Sequence, residues 1–401
     1  MIKPTLFGYG LTTKAIAKKL GGGCIFFDDN AKVPYADDEG NQIFPSQLFD
    51  PQDSKLEVTT PSVPPNHPLI KSAHNLMSEY DYFAKEMPFS VWISGTNGKT
   101  TTTQMLEHLL RKRGGVAGGN IGTPLAELDQ KAKIWILESS SFTLHHTHIA
   151  SPNIYLLLPI TPDHLDWHET AEQYEADKLK PLLTMKEGEM ALVPKGLNLP
   201  KTNAFVVEYD STEFLEEYFS IDSSKIRFKA AFLEDALIAL SVTKVLFDEV
   251  DYDTINAFTL DNHRQEETTD RQGRLWVNDS KATNLDATIQ AVKGYDDKFI
   301  RLIIGGNDKG ADLTSLFELL KSKEVKLYTI GANSQKIADL ATTHNVDFIS
   351  CETLDNAIDT ISKERIENDV ALLSPAAASF DQFNSYKHRG EEFFKFVKNL
   401  K

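Results

Sequence analysis

Glycine, lysine and threonine crowd together in SGTNGKTTTT, residues 94–103, in the proportions of a loop that holds phosphate groups. An apolar run at 91–93 leads into it and a helix-forming stretch at 104–110 follows. Strand, glycine turn and helix N-terminus in that order turn successive backbone N–H groups, and the positive end of the helix dipole, towards an anion. Gly95 and Gly98 allow close approach, Lys99 reaches the outer phosphates and Thr100 offers its hydroxyl to a magnesium ion. A common phosphate loop has a further glycine about five residues before Gly98, where this chain has Ile93. Nucleotide binding is expected all the same, because a strand precedes the Gly-Lys-Thr triplet and a helix-like threonine run follows it.

Other polar residues gather where apolar runs end. Glu138 closes the run 134–137 and precedes three serines; a carboxylate there, beside a phosphate loop, suits magnesium, while the serines equally suit a helix cap. TPDHLDWH, 161–168, follows the run 154–158 and offers Asp163, His164 and Asp166 as a polar knot in which His164 is a candidate metal ligand. EQYEADKLK, 172–180, reads from its residues as a solvated helix with Glu and Lys at helical spacing. His145, His146 and His148 lack a carboxylate or fourth ligand at recognisable spacing, so a surface or packing role is expected. Near the start, Gly8-Tyr9-Gly10 opens like a dinucleotide fingerprint, but Thr13 stands at the third glycine position. Asp28, about 20 residues on, suits a ribose hydroxyl; a plain strand–helix turn fits the same residues. Further along, Asp279 and Lys281 in RLWVNDSKATN, Lys309 in IIGGNDKGADL, and Ser374 and Ser379 in LLSPAAASFDQF occupy three more strand ends, where two lysines and a hydroxyl suit a small dicarboxylate.

The elements that must position these groups alternate. Strand candidates at 5–7, 24–27 and 56–58, then 91–93, 134–137 and 154–158, then 275–277, 299–304, 325–330 and 370–373 are separated by helical stretches, which argues for parallel α/β sheets. Three domains are expected, over 1–88, 89–261 and 262–401. In 401 residues, 41% are hydrophobic and 25% charged, as in globular proteins, and the net charge of −16 disfavours a nucleic-acid partner. Cys24 and Cys351 form no CxxC. MIKPTLFGYG does not read as a leader and no apolar run is long enough to span a bilayer, so a cytoplasmic enzyme with no membrane partner is expected.

Taken together, GTNGKT, NDSKATN at 278–284, GGNDKGADL at 305–313, and SPAAASFDQF at 374–383 followed by Tyr386 and Arg389-Gly390 resemble the Mur ligases, and among them the D-glutamate-adding branch of peptidoglycan synthesis. The DNPR-type motif of the diaminopimelate- or lysine-adding branch is absent. The resemblance implies a Rossmann-like N-terminal domain, a central P-loop ATPase-type α/β domain and a C-terminal Rossmann-like α/β domain. It implies a monomer that uses ATP, with two Mg2+ ions for which Mn2+ substitutes, to join D-glutamate to UDP-N-acetylmuramoyl-L-alanine through an acyl phosphate. By the same resemblance ATP falls to Gly95, Thr96, Asn97, Gly98, Lys99, Thr100 and Thr101 and to His263, Arg264 and Asp279. Metal falls to Thr100, Glu138, His164 and Lys178, the last as a carbamate; Lys99, His164 and Lys178 are the catalytic set. The uridine nucleotide falls to Gly10, Leu11, Thr12, Asp28, Asn120 and His164, and D-glutamate to Lys281, Thr283, Lys309, Ser379, Phe380 and Tyr386.

Departures stand beside the matches. Where the family often has HNxxN, this chain has AFLED, with Phe232 and Asp235 at the asparagine places, and Ser62 stands where a glycine is usual. The alternatives to a cell-wall ligase are a sibling such as a folylpolyglutamate synthase, which should lack NDSKATN, and a nucleotide switch or dinucleotide oxidoreductase. The incomplete glycine fingerprint and the lysine-lined third block disfavour the last two.

Overall fold

The computed structural model describes residues 3–364 and 368–400. Backbone contacts divide the chain into two compact units. The first runs to Arg227 and takes up again over Leu233–Phe258; the second has Phe228–Phe232 and the chain from Thr259 on.

The first unit holds two six-stranded sheets. One is ordered Tyr35–Ala36, Gln42–Pro45, Ile25–Asp28, Thr5–Phe7, Glu57–Thr59, Leu76–Met77, and is parallel except for its Tyr35–Ala36 edge. The other is parallel throughout: Phe205–Tyr209, Met190–Pro194, Ile154–Leu157, Phe89–Ser94, Ile134–Glu138, Gly115–Gly119. Strands covered on both faces need apolar residues at successive positions rather than alternate ones. Val91–Trp92–Ile93 and the whole of Ile134–Glu138 and Ile154–Leu157 are accordingly buried. The glycine loop leaves the strand Phe89–Ser94, whose neighbours are Ile154–Leu157 and Ile134–Glu138. The loops after three adjacent strands therefore open at one sheet edge, the place where parallel sheets bind ligands.

Both sheets share one apolar core, joined through the short helix Glu79–Phe83. Tyr80 packs edge-on against Trp92, with ring centroids 4.7 Å apart, and Phe83 is fully buried. The helix also carries acids inward. Asp81 accepts 2.8 Å hydrogen bonds from the backbone N–H groups of His148, Ile149 and Ala150, so its charge is spread over three peptide dipoles. Glu79 accepts a long bond, 3.4 Å, from the Ala126 N–H, and burial pushes its carboxyl up to about 8 against the backbone N–H groups of Ala126 and Leu125.

The second unit holds the third sheet, ordered Glu266–Thr269, Leu275–Asn278, Asp369–Leu373, Phe299–Ile304, Val325–Ile330, Asp347–Glu352, with an antiparallel first strand and parallel pairing elsewhere. Separate apolar clusters cover its two faces. The strand ends expected to carry Asp279, Lys309 and Ser379 belong to three adjacent strands. An isolated bridge, Asn307 to Ala378, ties two of the loops directly. No helix among the described residues is long and apolar enough to cross a membrane.

Because Glu79 keeps a proton in the folded state that it has lost in the unfolded chain, folding binds more protons than unfolding between the two pKa values. Stability should therefore fall as pH rises from about 4.5 to about 8. Glu79→Gln should flatten that part of the profile and raise the melting temperature at pH 8 relative to the parent protein, as read by thermal melts across pH. An unchanged pH profile would show that Glu79 is ionised when buried.

Candidate active site

The glycine loop folds as its residue types require. Gly95 and Gly98 take φ of 139° and 82°, a region unfavourable to side chains. A Cβ on Gly95 would lie 2.5 Å from Leu158 Cβ, and one on Gly98 would lie 2.5 Å from Asp235 Oδ1. Thr96 pins the turn: its hydroxyl donates to the Thr161 carbonyl at 2.9 Å, accepts from the Thr161 N–H and meets the Tyr174 hydroxyl at 3.1 Å. The helix Lys99–Leu110 starts directly at Lys99, five residues earlier than the apolar pattern suggested. Thr100 lies in its partly buried first turn, and Thr101 behind it is buried.

Lys99 Nζ donates to the carbonyls of Gly95 at 3.0 Å and Thr96 at 2.8 Å. Lys178 Nζ reaches the same Gly95 carbonyl at 2.8 Å from the helix Ala171–Leu179, and lies 4.6 Å from the Tyr174 ring centre. Lys178 is 1% exposed, which overturns the reading of 172–180 as a solvated helix: the face carrying Tyr174, Asp177 and Lys178 is core. Desolvation, and next the charge of Lys99, hold the Lys178 amine well below its ordinary pKa, with Asp163, Asp177 and Glu138 opposing. A buried amine of this kind is readily neutral and nucleophilic.

Glu138 ends its strand 2% exposed. Its Oε1 accepts from Asn120 Nδ2 at 2.6 Å, while Oε2 is buried with no hydrogen-bond partner. Tyr80 OH and the Asn120 N–H hold the Glu138 carbonyl at 3.1 and 2.8 Å. The helix-cap alternative is also realised, two residues on, by Ser140 at the start of Ser141–His145. His164 has φ of 53°, stands half exposed beside Asp163 and packs on Phe142 at 4.8 Å. Partial desolvation lowers its pKa, with Asp163 opposing and Lys99 assisting, and so favours the neutral ring a metal needs.

In the first sheet, Thr13 explains its place in the glycine fingerprint. Its buried hydroxyl donates to the Gly8 carbonyl at 2.6 Å and accepts from the Gly10 N–H at 3.2 Å, closing the turn. Asp28 accepts from the backbone N–H groups of Tyr9 and Asn30 at 2.7 and 2.8 Å, so it braces that turn. Leu11 is exposed and lines a cleft of about 330 Å³ with Tyr9, Lys14, Lys18, Asp37 and Glu127; Thr12 is partly buried beside it.

The second unit shows more bracing than the sequence reading assigned. Asp279 is buried, accepts from Ser374 Oγ at 2.8 Å and from the Gln265 N–H at 3.2 Å, and burial raises its carboxyl to about 7. His263, at φ 65°, meets Asn278 Nδ2 through Nδ1 at 2.9 Å. The Nε of Arg264 is buried without a hydrogen-bond partner. Lys281 Nζ lies 5.7 Å from the Tyr386 ring centre and 3.9 Å from Asp261. Lys309, Thr283 and Phe380 are exposed, whereas Ser379 is buried in its turn. Arg389, given no role from sequence, is buried and donates to Ser280 Oγ, the Ser280 carbonyl and the Ala377 carbonyl at 2.9, 2.8 and 3.1 Å, clamping two of the loops together.

The loop, the strand ends and the motifs agree with what comparison finds. Residues 93–198 match the Mur ligase middle domain and 263–377 the Mur ligase, glutamate ligase domain. The chain belongs to the Mur ligase family. Among its relatives, UDP-N-acetylmuramoylalanine--D-glutamate ligase of Campylobacter jejuni (strain 81-176) is 49% identical over 402 residues, covering all of both chains. The enzyme of that name from Helicobacter pylori (strain J99) is 43% identical over 419 residues, covering 99% of each. Its fold is shared with the MurF ligase of Thermotoga maritima solved with ADP, at a TM-score of 0.59 and 16% identity, over 98% of this chain and 97% of that one. FolC of Escherichia coli aligns at a TM-score of 0.54 and 16% identity, over 79% and 91%. The three-sheet α/β architecture is thus that of Mur ligases. Asp235, in the AFLED segment where the resemblance implies an asparagine, accepts from Thr102 Oγ1 at 2.9 Å and lies under Gly98, at the base of the loop.

Gly98→Ala should strain the loop by about 1–3 kcal/mol, since both the positive φ and the Asp235 contact oppose a Cβ. Titration with ADP should show binding weakened at least about tenfold, which is about 1.4 kcal/mol, while the far-ultraviolet circular dichroism stays that of the parent. Unaltered ADP affinity would mean that the loop does not contact phosphates.

Proposed function

We propose that this chain is an ADP-forming acid–amino-acid ligase that adds D-glutamate to UDP-N-acetylmuramoyl-L-alanine in peptidoglycan synthesis. Its full-length likeness to ligases of that name supports the substrates. The observation that carries the chemistry is the meeting of Lys99 and Lys178 on the Gly95 carbonyl of a glycine loop, with the unpaired buried oxygen of Glu138 on the neighbouring strand end.

A carboxylate is a poor electrophile, so the acceptor's carboxylate oxygen attacks the γ-phosphorus of ATP, the bond to the β-bridging oxygen breaks, and acyl phosphate and ADP result. Lys99 and the loop N–H groups offset charge on the transferring phosphoryl group. The neutral amine of D-glutamate then attacks the acyl carbon, loses a proton and expels phosphate to leave the amide. In the second unit, Lys281 and Lys309, at the ends of the two strands that flank Asp369–Leu373, supply the charges that a diacid requires, with Thr283, Ser379, Phe380 and Tyr386 around them. His263, Arg264 and Asp279 belong to the nucleotide side of that unit; the unpaired Arg264 Nε is a free donor for a phosphate or ribose oxygen.

The residues fit divalent magnesium. Glu138 Oε2, Thr100 and neutral His164 would hold it, and Lys178 would join them once carbon dioxide has added to its neutral amine, giving an anionic carbamate in place of a cation. When bound, magnesium supplies charge neutralisation to the phosphates. Asn120, Gly10, Leu11, Thr12 and Asp28 serve the uridine nucleotide, Asn120 while also holding Glu138. The protein acts as a cytoplasmic monomer.

Mass spectrometry of reactions containing ATP, UDP-N-acetylmuramoyl-L-alanine and an amino-acid panel should show product with D-glutamate alone, and ADP release only when all three reactants are present. Lys178→Ala should lose roughly 100-fold or more in rate, the scale of losing one transition-state electrostatic group, and regain part of it with added short carboxylic acids. Full activity of Lys178→Ala would exclude the carbamate.

A further inference from the structure

His145 and His168 come from different helices, Ser141–His145 and Leu165–His168, yet both aim Nδ1 at one oxygen of Asp177, at 2.8 and 2.9 Å. One ligand atom from each of the three lies within 4.8 Å of the other two. We propose that this His145–His168–Asp177 cluster is a transition-metal site of the zinc class, separate from the phosphate loop. Two imidazole nitrogens and one carboxylate oxygen suit zinc, cobalt or nickel better than magnesium, which favours a shell made mostly of oxygens. Three protein ligands leave a fourth position open for water.

The surrounding groups orient the ligands as metal sites require. His168 Nε2 faces Ser141 Oγ at 2.9 Å, so when Nδ1 binds metal the ring hydrogen resides on Nε2 and is donated to that hydroxyl. The second oxygen of Asp177 accepts from Gln173 Nε2 at 3.0 Å, which leaves the first free to face the histidines. His168 and Asp177 are buried and the His145 side chain is 23% exposed, which provides an entry path. Lys180 is the opposing charge nearby; its ammonium is engaged by the His145 carbonyl.

Asp177 and Lys178 are consecutive, so their side chains leave the helix about 100° apart. One points to the histidines and the other to Gly95, which keeps the two sites distinct. A metal at the cluster would fasten the Lys178 helix to the helix that follows Glu138.

The test uses untagged, chelator-stripped protein titrated with Co2+ in excess Mg2+, read by visible absorption and by competition with Zn2+. One equivalent should bind with the intense bands of a four-coordinate ion. His145→Gln, His168→Gln and Asp177→Asn should each weaken binding by at least about tenfold, and His164→Gln should not. His145→Gln, at the most exposed ligand, decides the matter if the buried variants do not fold. No saturable absorption, or affinity unchanged in folded His145→Gln, would overturn the site, as would a signal abolished by His164→Gln.

Discussion

Two ammonium groups converging on one peptide carbonyl is an arrangement that solvent would ordinarily prevent. Here Lys99 and Lys178 share the Gly95 oxygen because the loop, the Tyr174 ring and the sheet edge exclude water from Lys178. Like charges at that range are costly in a low dielectric, and desolvation together with the charge of Lys99 holds the Lys178 amine well below its ordinary pKa. Much of the neighbourhood follows from that constraint. Gly95 must take a positive φ to aim its carbonyl, Thr96 must tie the loop to Thr161, and Tyr174 must stand beneath the lysine. A lysine in water at the same position would remain an ammonium and would repel a divalent cation.

The same economy recurs at other strand ends. Polar side chains that look as though they should meet ligands are in part engaged by the protein. Asp28 holds the first glycine turn, Asp279 holds Ser374 and Gln265, and Arg389 clamps two loops of the second unit. Loops that carry function need such internal donors and acceptors, since they lack the ladder hydrogen bonds of a strand. Glu138 Oε2 and Arg264 Nε are among the buried groups left without partners.

Legibility in the sequence followed burial. Parallel strands covered on both faces announce themselves as mostly apolar runs, broken here only at Thr5, Arg301, Lys326 and Thr329, so 5–7, 299–304 and 325–330 were readable to the residue. The antiparallel edges Glu266–Thr269 and Tyr35–Ala36 were not, because exposed edge strands can be polar. Among site residues, the glycine loop was legible because its glycines, lysine and threonines are contiguous. Lys178 was not legible from its own surroundings: Glu and Lys at helical spacing describe a solvated surface, and the partner that buries it lies 83 residues away. His145 met the same difficulty, since its carboxylate, Asp177, is 32 residues on, and His168, which shares that carboxylate, sits in the short helix Leu165–His168 between them. Only the motif resemblance singled out Lys178, and nothing singled out Asp177.

Gly390 sits inside the helix Tyr386–Lys398, where any side chain would add helical propensity. A methyl group there would collide with the His263 ring, and the Gly390 carbonyl accepts from Asn278 at 3.0 Å. The helix therefore forgoes conformational stability so that an imidazole can lie flush against its backbone. Thermostabilising redesign that swaps helical glycines for alanine would, at this position, trade a firmer helix for a displaced ring.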